Sequence, residues 1–285
     1  MDSADIPANR ATPAEGQDAP VSPGSDAGID ASIFRAYDIR GVVGRTLTPE
    51  VAARIGRAFG SEIRERGGRQ VVVGRDGRLS SAALGAALEA GIRASGCDVI
   101  DLGVVPTPAV YFAVEHLGVG NGVMVTGSHN PPDYNGFKLV AGGAALTEDE
   151  IRGLQARIRE GRLTRGSGRS RSVDITGEYL DRLVRDARIR RPLRVAVDCG
   201  NGVAGRVVPR LLRRLGIDAE ELYCEVDGHF PNHHPNPGDP GTLERLREVV
   251  RLQALDVGIA FDGDGDRLGV VDDRGRIIWA DRLLM

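Results

Sequence analysis

The chain has 285 residues, enough for two domains of ordinary size, and its net charge of −3 gives no reason to expect a nucleic-acid or anionic-membrane partner. Glycine is abundant at 39 residues, about twice the usual share, whereas aromatic residues make up only 4% of the chain. This composition favours an α/β protein with many loops over a β-sandwich, and no apolar run approaches the roughly 18–20 residues that span a bilayer.

The cysteines and the first residues bear on the compartment. Cys97, Cys199 and Cys224 are odd in number and form no CxxC pair, so we expect free thiols in a reducing, cytoplasmic environment. Residues 1–28 consist largely of Ala, Asp, Pro, Ser and Gly, which predicts a disordered tail. This tail lacks the basic start and apolar centre of a signal peptide and is too acidic for a transit peptide.

Strands and helices alternate along residues 29–172, which predicts a sheet with helices on its faces. Alternating apolar and polar residues predict a first strand from Ile33 to Gly41. A helix is expected over 48–66, where Thr48 and Pro49 form a typical start. Further strands are predicted at 71–73, 99–102, 123–125 and 137–140, and further helices at 80–94, 107–116 and 147–160.

The second part of the chain repeats this rhythm after a linker rich in Gly, Ser and Arg at 163–171, which predicts a domain boundary near Ser172. The pattern predicts helices at 175–186, 207–215 and 243–252, and strands at 193–197, 220–223, 257–261, 268–271 and 277–279. Residues 231–240 contain too many prolines to be anything but a loop. We therefore expect two α/β domains of similar type.

Three carboxylates follow the predicted strand 257–261 at every second position: Asp262, Asp264 and Asp266. The intervening glycines let the chain curl, and carboxylates this close would repel one another without a cation. Oxygen ligands of this kind suit Mg²⁺, whereas an EF-hand calcium loop would need glycine at Arg267 and glutamate at Asp273. A metal-free acidic turn is the other possibility.

A loop that neither strand nor helix can continue follows the predicted strand 123–125, with the sequence TGSHNPP from Thr126 to Pro132. Open α/β folds place their chemistry on such loops at the carboxyl ends of strands. Ser128 could carry a phosphoryl group if nearby cations neutralised the transferred oxygens. On its own, however, the serine is better explained as a turn cap beside Asn130, as are most serines in a Gly-Ser-His-Asn loop.

Taken together, three motifs resemble those of the α-D-phosphohexomutases, in the phosphomannomutase/phosphoglucomutase branch. They are FRAYDIRG from Phe34 to Gly41, TGSHNPPDYNGFK from Thr126 to Lys138, and DGDGDR from Asp262 to Arg267. The resemblance implies two successive three-layer α/β/α domains with mixed sheets, the first at 29–172 and the second at 173–275. Residues 276–285 would then begin a truncated third domain.

The resemblance also implies an activity, the reversible transfer of a phosphoryl group between C6 and C1 of mannose or glucose phosphates through a bisphosphorylated sugar. Ser128 would carry the phosphoryl group, and one Mg²⁺ would bind Asp262, Asp264, Asp266 and the phosphate on Ser128. The branch's sugar-reading third domain lies beyond these residues. We therefore expect little or no mutase turnover from these residues by themselves. A monomer is expected as well.

The family's other site residues map onto positions of this sequence. Arg40, Lys138 and Arg267 would supply positive charge, and Tyr37, Arg40 and Lys138 would face the substrate. His129 and Lys138 are both candidates for the proton carrier, and the sequence does not decide between them.

Two further functions stay open. Phosphoglucosamine mutase is disfavoured by Gly127 and by the run from Asp133 to Phe137, which differ from that branch's usual pattern. A non-catalytic metal-binding module that keeps the fold is the second alternative.

Three minor motifs have ordinary explanations. Gly200-Asn201-Gly202 could bind phosphate through backbone N–H groups but is better explained as a structural turn. No cysteine or acidic residue lies at the spacing of zinc ligands from His229, His233 and His234. For Arg75 and Arg78 we expect solvated or supporting positions near the site.

Overall fold

The computed structural model describes residues 29–283, and the predicted disordered tail at 1–28 lies outside them. A first sheet contains seven strands: β1 Ile39–Val42, β2 Gln70–Arg75, β3 Asp98–Val104, β4 Gly122–Val125, β5 Tyr134–Ala141, β6 Ala144–Ala145 and β7 Ser170–Ser172. Their order is β1-β5-β4-β2-β3-β7, with β6 paired to β5. β4, β2, β3 and β7 run parallel, whereas β5 is antiparallel to all its partners, so the sheet is mixed.

Helices cover both faces of this sheet: α1 Pro49–Glu65, α2 Ser81–Ala94, α3 Thr107–His116, α4 Glu148–Arg159 and α5 Thr176–Asp186. On one face, a core that includes Phe59, Leu88 and Leu154 joins α1, α2 and α4 to the sheet. On the other face, Val110 of α3 packs with Ile175, the residue before α5. The result is a three-layer α/β/α arrangement.

A second mixed sheet has the strands β8 Arg194–Asp198, β9 Asp218–Leu222, β10 Val257–Phe261, β11 Leu268–Asp272 and β12 Ile277–Ile278, in the order β12-β11-β10-β8-β9. The helices α6 Val208–Arg214 and α7 Glu244–Leu252 pack into separate cores against it. A short helix, α8 Ala280–Leu283, follows β12. The expected fold class of two successive α/β/α units with mixed sheets is confirmed. Among the described residues, every helix is too short or too polar to serve as a membrane span.

Three sequence predictions need correction. The strand expected from Ile33 to Gly41 is shorter, because Asp30 caps a 3₁₀ turn at Ala31–Ile33 and only Ile39–Val42 pairs with β5. β5 itself begins at Tyr134, three residues before its predicted start. Part of the predicted linker forms β7, an exposed edge strand that pairs with β3 through its backbone and carries no apolar pattern.

The domain boundary stays a prediction. β7 of the first sheet ends at Ser172, where the sequence places the boundary. However, Ile175 and Tyr179 of the following segment still pack in the first unit's core.

The topology brings the carboxyl ends of several strands together. The loop after β4 contains Ser128, the loop after β10 contains the three aspartates, and the loop after β2 begins with Asp76. The start of α3 also meets the aspartate loop, since the Thr107 N–H donates to the Asp264 carbonyl at 2.9 Å. This edge of the two sheets is therefore where the predicted site residues meet.

Candidate active site

The loop after β4 is built on a buried carboxylate, Asp76. Its Oδ2 accepts from the Thr126 hydroxyl at 2.9 Å and from the Gly127 N–H at 3.0 Å. Its Oδ1 accepts from the Ser81 hydroxyl and from the Arg78 N–H. Burial raises the pKa of Asp76, while the Arg78 charge and these donors oppose the increase. Asp76 thus fixes the loop's first residues to the end of β2.

Arg78 holds the rest of the loop from inside. Its guanidinium donates to the carbonyl oxygens of Ser128 at 2.8 Å, Asn130 at 2.6 Å, Pro131 at 2.7 Å and Tyr134 at 3.1 Å. The side chain is only 2% exposed. Four carbonyl groups that point inward around one cation define the shape of the loop.

The guanidinium of Arg78 also explains one residue of the motif. It lies so close to Gly127 that a Cβ at that position would be 2.2 Å from Arg78 Nε. Glycine is therefore required there by space.

Ser128 lies at the tip of this loop in a left-handed conformation, with φ of 49°. A non-glycine residue in this region is uncommon and is sustained by its surroundings. Here the Ser128 N–H donates to Thr126 Oγ1 at 2.7 Å, and the Ser128 carbonyl accepts from Arg78. The consequence is that the Ser128 hydroxyl points toward the second unit.

The serine and aspartate loops are in contact. Ser128 Oγ donates to Asp262 Oδ2 at 2.7 Å, although the two residues belong to different sheets. The other oxygen of Asp262 accepts from the backbone N–H groups of Asp266 and Arg267, at 3.1 and 3.0 Å. The hydroxyl expected to carry a phosphoryl group therefore lies beside the first of the three carboxylates.

The three carboxylates fit a cation. One oxygen from each of Asp262, Asp264 and Asp266 can be chosen so that all three lie within 4.8 Å of one another. Asp264 Oδ1 is buried without a hydrogen-bond partner, which is costly unless a ligand satisfies it. A hard divalent ion with oxygen ligands matches this donor set.

Lys138 is the cation that these carboxylates hold. Its Nζ donates to Asp264 Oδ2 at 2.7 Å and to Asp266 Oδ2 at 2.5 Å. Burial acts to lower the pKa of Lys138, but the charges of the two aspartates outweigh it and raise this pKa. Thr107 adds a further donor, its hydroxyl lying 2.5 Å from Asp264 Oδ2.

The two buried aspartates titrate in opposite directions. Burial and the neighbouring charge of Asp264 raise the pKa of Asp262 to about 7. Burial would raise the pKa of Asp264 as well, but the charge and hydrogen bond of Lys138 lower it to about 2. Asp264 is thus ionised at neutral pH, whereas Asp262 changes protonation near neutral pH.

His129 adjoins the serine. Its Nδ1 lies 3.3 Å from Ser128 Oγ. Burial, followed by the charges of Arg267 and Arg40, lowers the pKa of His129. A histidine with a lowered pKa is neutral at pH 7, so its ring nitrogen can accept a proton.

The remaining predicted site residues lie at different distances from the cluster around Ser128. Arg40 is buried, pairs with Asp38 and donates from Nη1 to the Gly127 carbonyl at 2.5 Å. Arg267 is exposed and close enough to His129 to influence its pKa. Tyr37 lies on the surface with 83% of its area exposed, so the structure does not bring it into the cluster around Ser128.

Sequence reasoning missed several residues that shape this site. No motif of the sequence points to Asp76, Thr107 or His234 as site residues, and Arg78 is expected only in a solvated or supporting position. His234 Nε2 lies 2.5 Å from the His129 carbonyl oxygen, which makes it a contact from the second unit to the serine loop. The one available signal was that Asp76 and Arg78 directly follow a buried strand.

The Gly200-Asn201-Gly202 motif and two of the three histidines of residues 229–234 make ordinary structural contacts. Gly200 and Asn201 form a tight turn with φ of 50° and 58°, and the Asn201 N–H donates to the Tyr223 carbonyl. His233 binds the buried Asp198 at 2.9 Å, and His229 lies against Asp227.

Family models match most of the chain. One described as phosphoglucomutase/phosphomannomutase, alpha/beta/alpha domain I, matches residues 31–165, and one for domain II of the same family matches residues 177–275. The sequence is 54% identical over 257 residues to phosphomannomutase/phosphoglucomutase of Pseudomonas aeruginosa, covering 90% of this chain and 56% of that protein. It is 46% identical to phosphoglucomutase of Neisseria gonorrhoeae, covering 91% of this chain and 57% of that protein.

A solved structure of similar fold is a phosphoglucomutase/phosphomannomutase family protein from Burkholderia thailandensis. The TM-score is 0.87 at 52% sequence identity, with 90% of this chain and 58% of that chain covered. The chain thus spans a little over half the length of the relatives that it matches.

Proposed function

Because the chain belongs to the phosphoglucomutase/phosphomannomutase family, we propose that Ser128 carries a phosphoryl group and exchanges it with hexose phosphates. The reaction is the reversible isomerisation of mannose or glucose 6-phosphate and 1-phosphate through a bisphosphorylated sugar. The observation that carries this proposal is the 2.7 Å contact between Ser128 Oγ and Asp262 Oδ2, which joins the serine loop to the carboxylate cluster.

Phosphoryl transfer needs positive charge around the moving oxygens and an in-line approach of the acceptor. Arg40 donates to the Gly127 carbonyl of the serine loop, and Arg267 is close enough to His129 to lower its pKa. Lys138 adds a third positive charge beside Asp264 and Asp266. Mg²⁺, bound by Asp262, Asp264 and Asp266, would add Lewis-acid stabilisation of the phosphoryl oxygens. The left-handed Ser128, fixed by Thr126 and Arg78, keeps the reacting oxygen aimed at this charge.

Each transfer also moves protons. When a sugar hydroxyl attacks phosphoserine, the bond from Oγ to phosphorus breaks, a sugar oxygen–phosphorus bond forms, and the hydroxyl loses its proton. The neutral His129 imidazole is a suitable acceptor, whereas the Lys138 ammonium can only donate. As the bond to phosphorus breaks, the departing Ser128 oxygen takes a proton from Asp262, whose Oδ2 lies 2.7 Å from Oγ. In the reverse direction Ser128 returns its proton to Asp262, which is closer to Oγ than His129 Nδ1 at 3.3 Å.

The test is the appearance of phosphoserine. The purified chain is incubated with a hexose 1,6-bisphosphate and MgCl₂, and its intact mass is measured. We expect a mass increase of one phosphoryl group, mapped to the peptide containing Ser128, and its loss in Ser128→Ala. Ser172→Ala, at an exposed edge-strand position, is the matched control and should be labelled like the natural chain.

Phosphorylation that persists in Ser128→Ala, or its absence from the natural chain with saturating bisphosphate, would disprove the proposal. The choice of sugar is tested separately, by comparing how mannose and glucose monophosphates remove the phosphoryl group from Ser128. Because the chain spans a little over half the length of its relatives, discharge is expected to be slow in it, so the comparison is repeated with a protein extended to that length; a phosphoserine that neither sugar discharges there would contradict the proposed substrates.

A further inference from the structure

Two cysteines meet at the end of the second sheet, outside the site described above. Cys199 directly follows β8 and Cys224 lies two residues beyond β9, and these neighbouring parallel strands align Asp198 with Leu222. The two Sγ atoms are 3.3 Å apart. Both residues are free thiols, Cys199 fully buried and Cys224 partly exposed.

This geometry suits a disulfide. The Sγ–Sγ separation of 3.3 Å compares with about 2.05 Å in a disulfide bond. Closing the sulfur atoms from 3.3 Å to a bond requires a shift of about 1 Å, which rotation of the two side chains and movement of the backbone at Cys199 and Cys224 share. Cys97 provides an internal reference, because it is buried in the first unit's core with its Sγ against the Gly60 carbonyl.

We propose that Cys199 and Cys224 form a redox modification site that closes reversibly with a low-molecular-weight disulfide of the glutathione type. The thiolate of the more exposed Cys224 attacks one sulfur of the small disulfide, forms a mixed disulfide and releases one small thiol. Cys199 then attacks Cys224 Sγ, which forms the Cys199–Cys224 bond and releases the second small thiol. Two protein thiols and one small disulfide thus give one protein disulfide and two small thiols.

The pair is connected to the aspartate loop through backbone contacts. The Cys199 carbonyl accepts from the Gly202 N–H at 2.7 Å, and the next residue, Val203, donates to the Gly263 carbonyl at 3.2 Å. Gly263 lies between Asp262 and Asp264. On the other side, the Cys224 carbonyl lies against Gly205, where a Cβ would come within 1.9 Å of it. Pulling Cys199 toward Cys224 therefore displaces a segment that has no spare room and contacts the aspartate loop.

The experiment counts thiols and maps the bond. The reduced chain is incubated with oxidised glutathione, quenched with acid and alkylated in denaturant, and its peptides are identified by mass spectrometry. We expect the natural chain and Cys97→Ser to lose both Cys199 and Cys224 thiols to one intramolecular bond, and dithiothreitol to restore them. Cys199→Ser should stop at a mixed disulfide on Cys224, and Cys224→Ser should keep its remaining thiols free.

Hydrogen exchange measures the connection to the aspartate loop. We expect the Val203 amide to exchange faster in the oxidised chain than in the reduced chain, with the core strand β4 unchanged. Both readouts are independent of phosphorylation, so the proposed function can fail without affecting them. A natural chain that keeps all its thiols, or a bond that involves Cys97 or a second chain, would overturn the modification site. Unchanged exchange at Val203 in a fully oxidised chain would overturn its connection to the aspartate loop.

Discussion

Replacing Arg78 by methionine tests how the serine loop is held. The change keeps most of the side-chain volume but removes the charge and every donor, so four carbonyl oxygens lose their guanidinium partner. The carbonyls of Asn130, Pro131 and Tyr134 belong to partly or fully exposed residues and can bind water instead. The Ser128 carbonyl belongs to a buried residue, and losing its donor costs about 1–3 kcal/mol.

The larger cost comes from Asp76, whose buried carboxylate would lose the cation that lies 3.5 Å away. Removing one partner of a buried ion pair destabilises a protein by about 3–5 kcal/mol. Since Asp76 can escape part of this cost by binding a proton, we expect the free energy of unfolding to fall by about 3–5 kcal/mol in total. That is a large share of the roughly 5–15 kcal/mol that stabilises a typical protein.

Urea unfolding at pH 7, followed by circular dichroism, measures this loss. Arg75→Met is the matched control, because Arg75 is only partly buried and should change the free energy of unfolding by about 0.5 kcal/mol or less. Ser128 phosphorylation should also fall in Arg78→Met and not in Arg75→Met. If both variants unfold at the same urea concentration, the guanidinium does not hold the loop, and the reasoning is refuted.

Three further predictions concern the carboxylates and the sheet. The pKa of Asp262 is raised above its unfolded value, so its stabilising contribution is present at pH 4 and is lost as pH rises through about 7. Asp262→Asn should therefore raise the free energy of unfolding in urea at pH 8 in EDTA by about 2–4 kcal/mol. An equal gain at pH 4 would count against this. Lys138 is the only lysine of the sequence, and its amino group donates to Asp264. Acetylation of Lys138 by acetic anhydride should increase when Mg²⁺ binds Asp264 and displaces the amino group. Acetylation that is unchanged by saturating Mg²⁺ would contradict a shared site. Gly136→Ala should lower the free energy of unfolding by about 1–3 kcal/mol, because the added Cβ would lie 2.0 Å from a backbone oxygen of β1. The control Gly153→Ala, on the open face of α4, should raise the free energy of unfolding by about 1 kcal/mol. Similar urea midpoints for the two variants would show that space at Gly136 is not limiting.

Elements with a regular apolar period could be predicted from the sequence. The helix expected at 107–116 has these bounds in the structure, and α1 differs from its prediction by one residue at each end. β7 could not be found, because it consists of Ser170, Arg171 and Ser172, which are exposed, and it exists only because β3 offers an unpaired edge. A strand that forms through backbone pairing alone has no alternation of apolar and polar side chains from which it could be predicted.

Short motifs indicated the chemistry of the site but not its supports. The three aspartates could be selected because carboxylates at every second position are unusual, whereas Ser128 could be selected only because its whole loop resembles that of the phosphohexomutases. Arg78 could not, because its importance comes from carbonyl groups about fifty residues along the chain, and a carbonyl has no residue-type signature. Thr107 was missed for a related reason, since its partner Asp264 belongs to the other sheet.

The division of the site between two sheets restricts how such proteins can be recombined. Ser128 comes from one unit and Asp262 from the other, and the contact of Arg78 with Phe230 and of His234 with the His129 carbonyl join the same surfaces. A chimera that takes its first unit from one relative and its second from another inherits both motifs intact. Such a chimera nevertheless forms the site only if the residues that join the two units still contact one another. These contacts between the units, and not the motifs, therefore decide which chimeras are active.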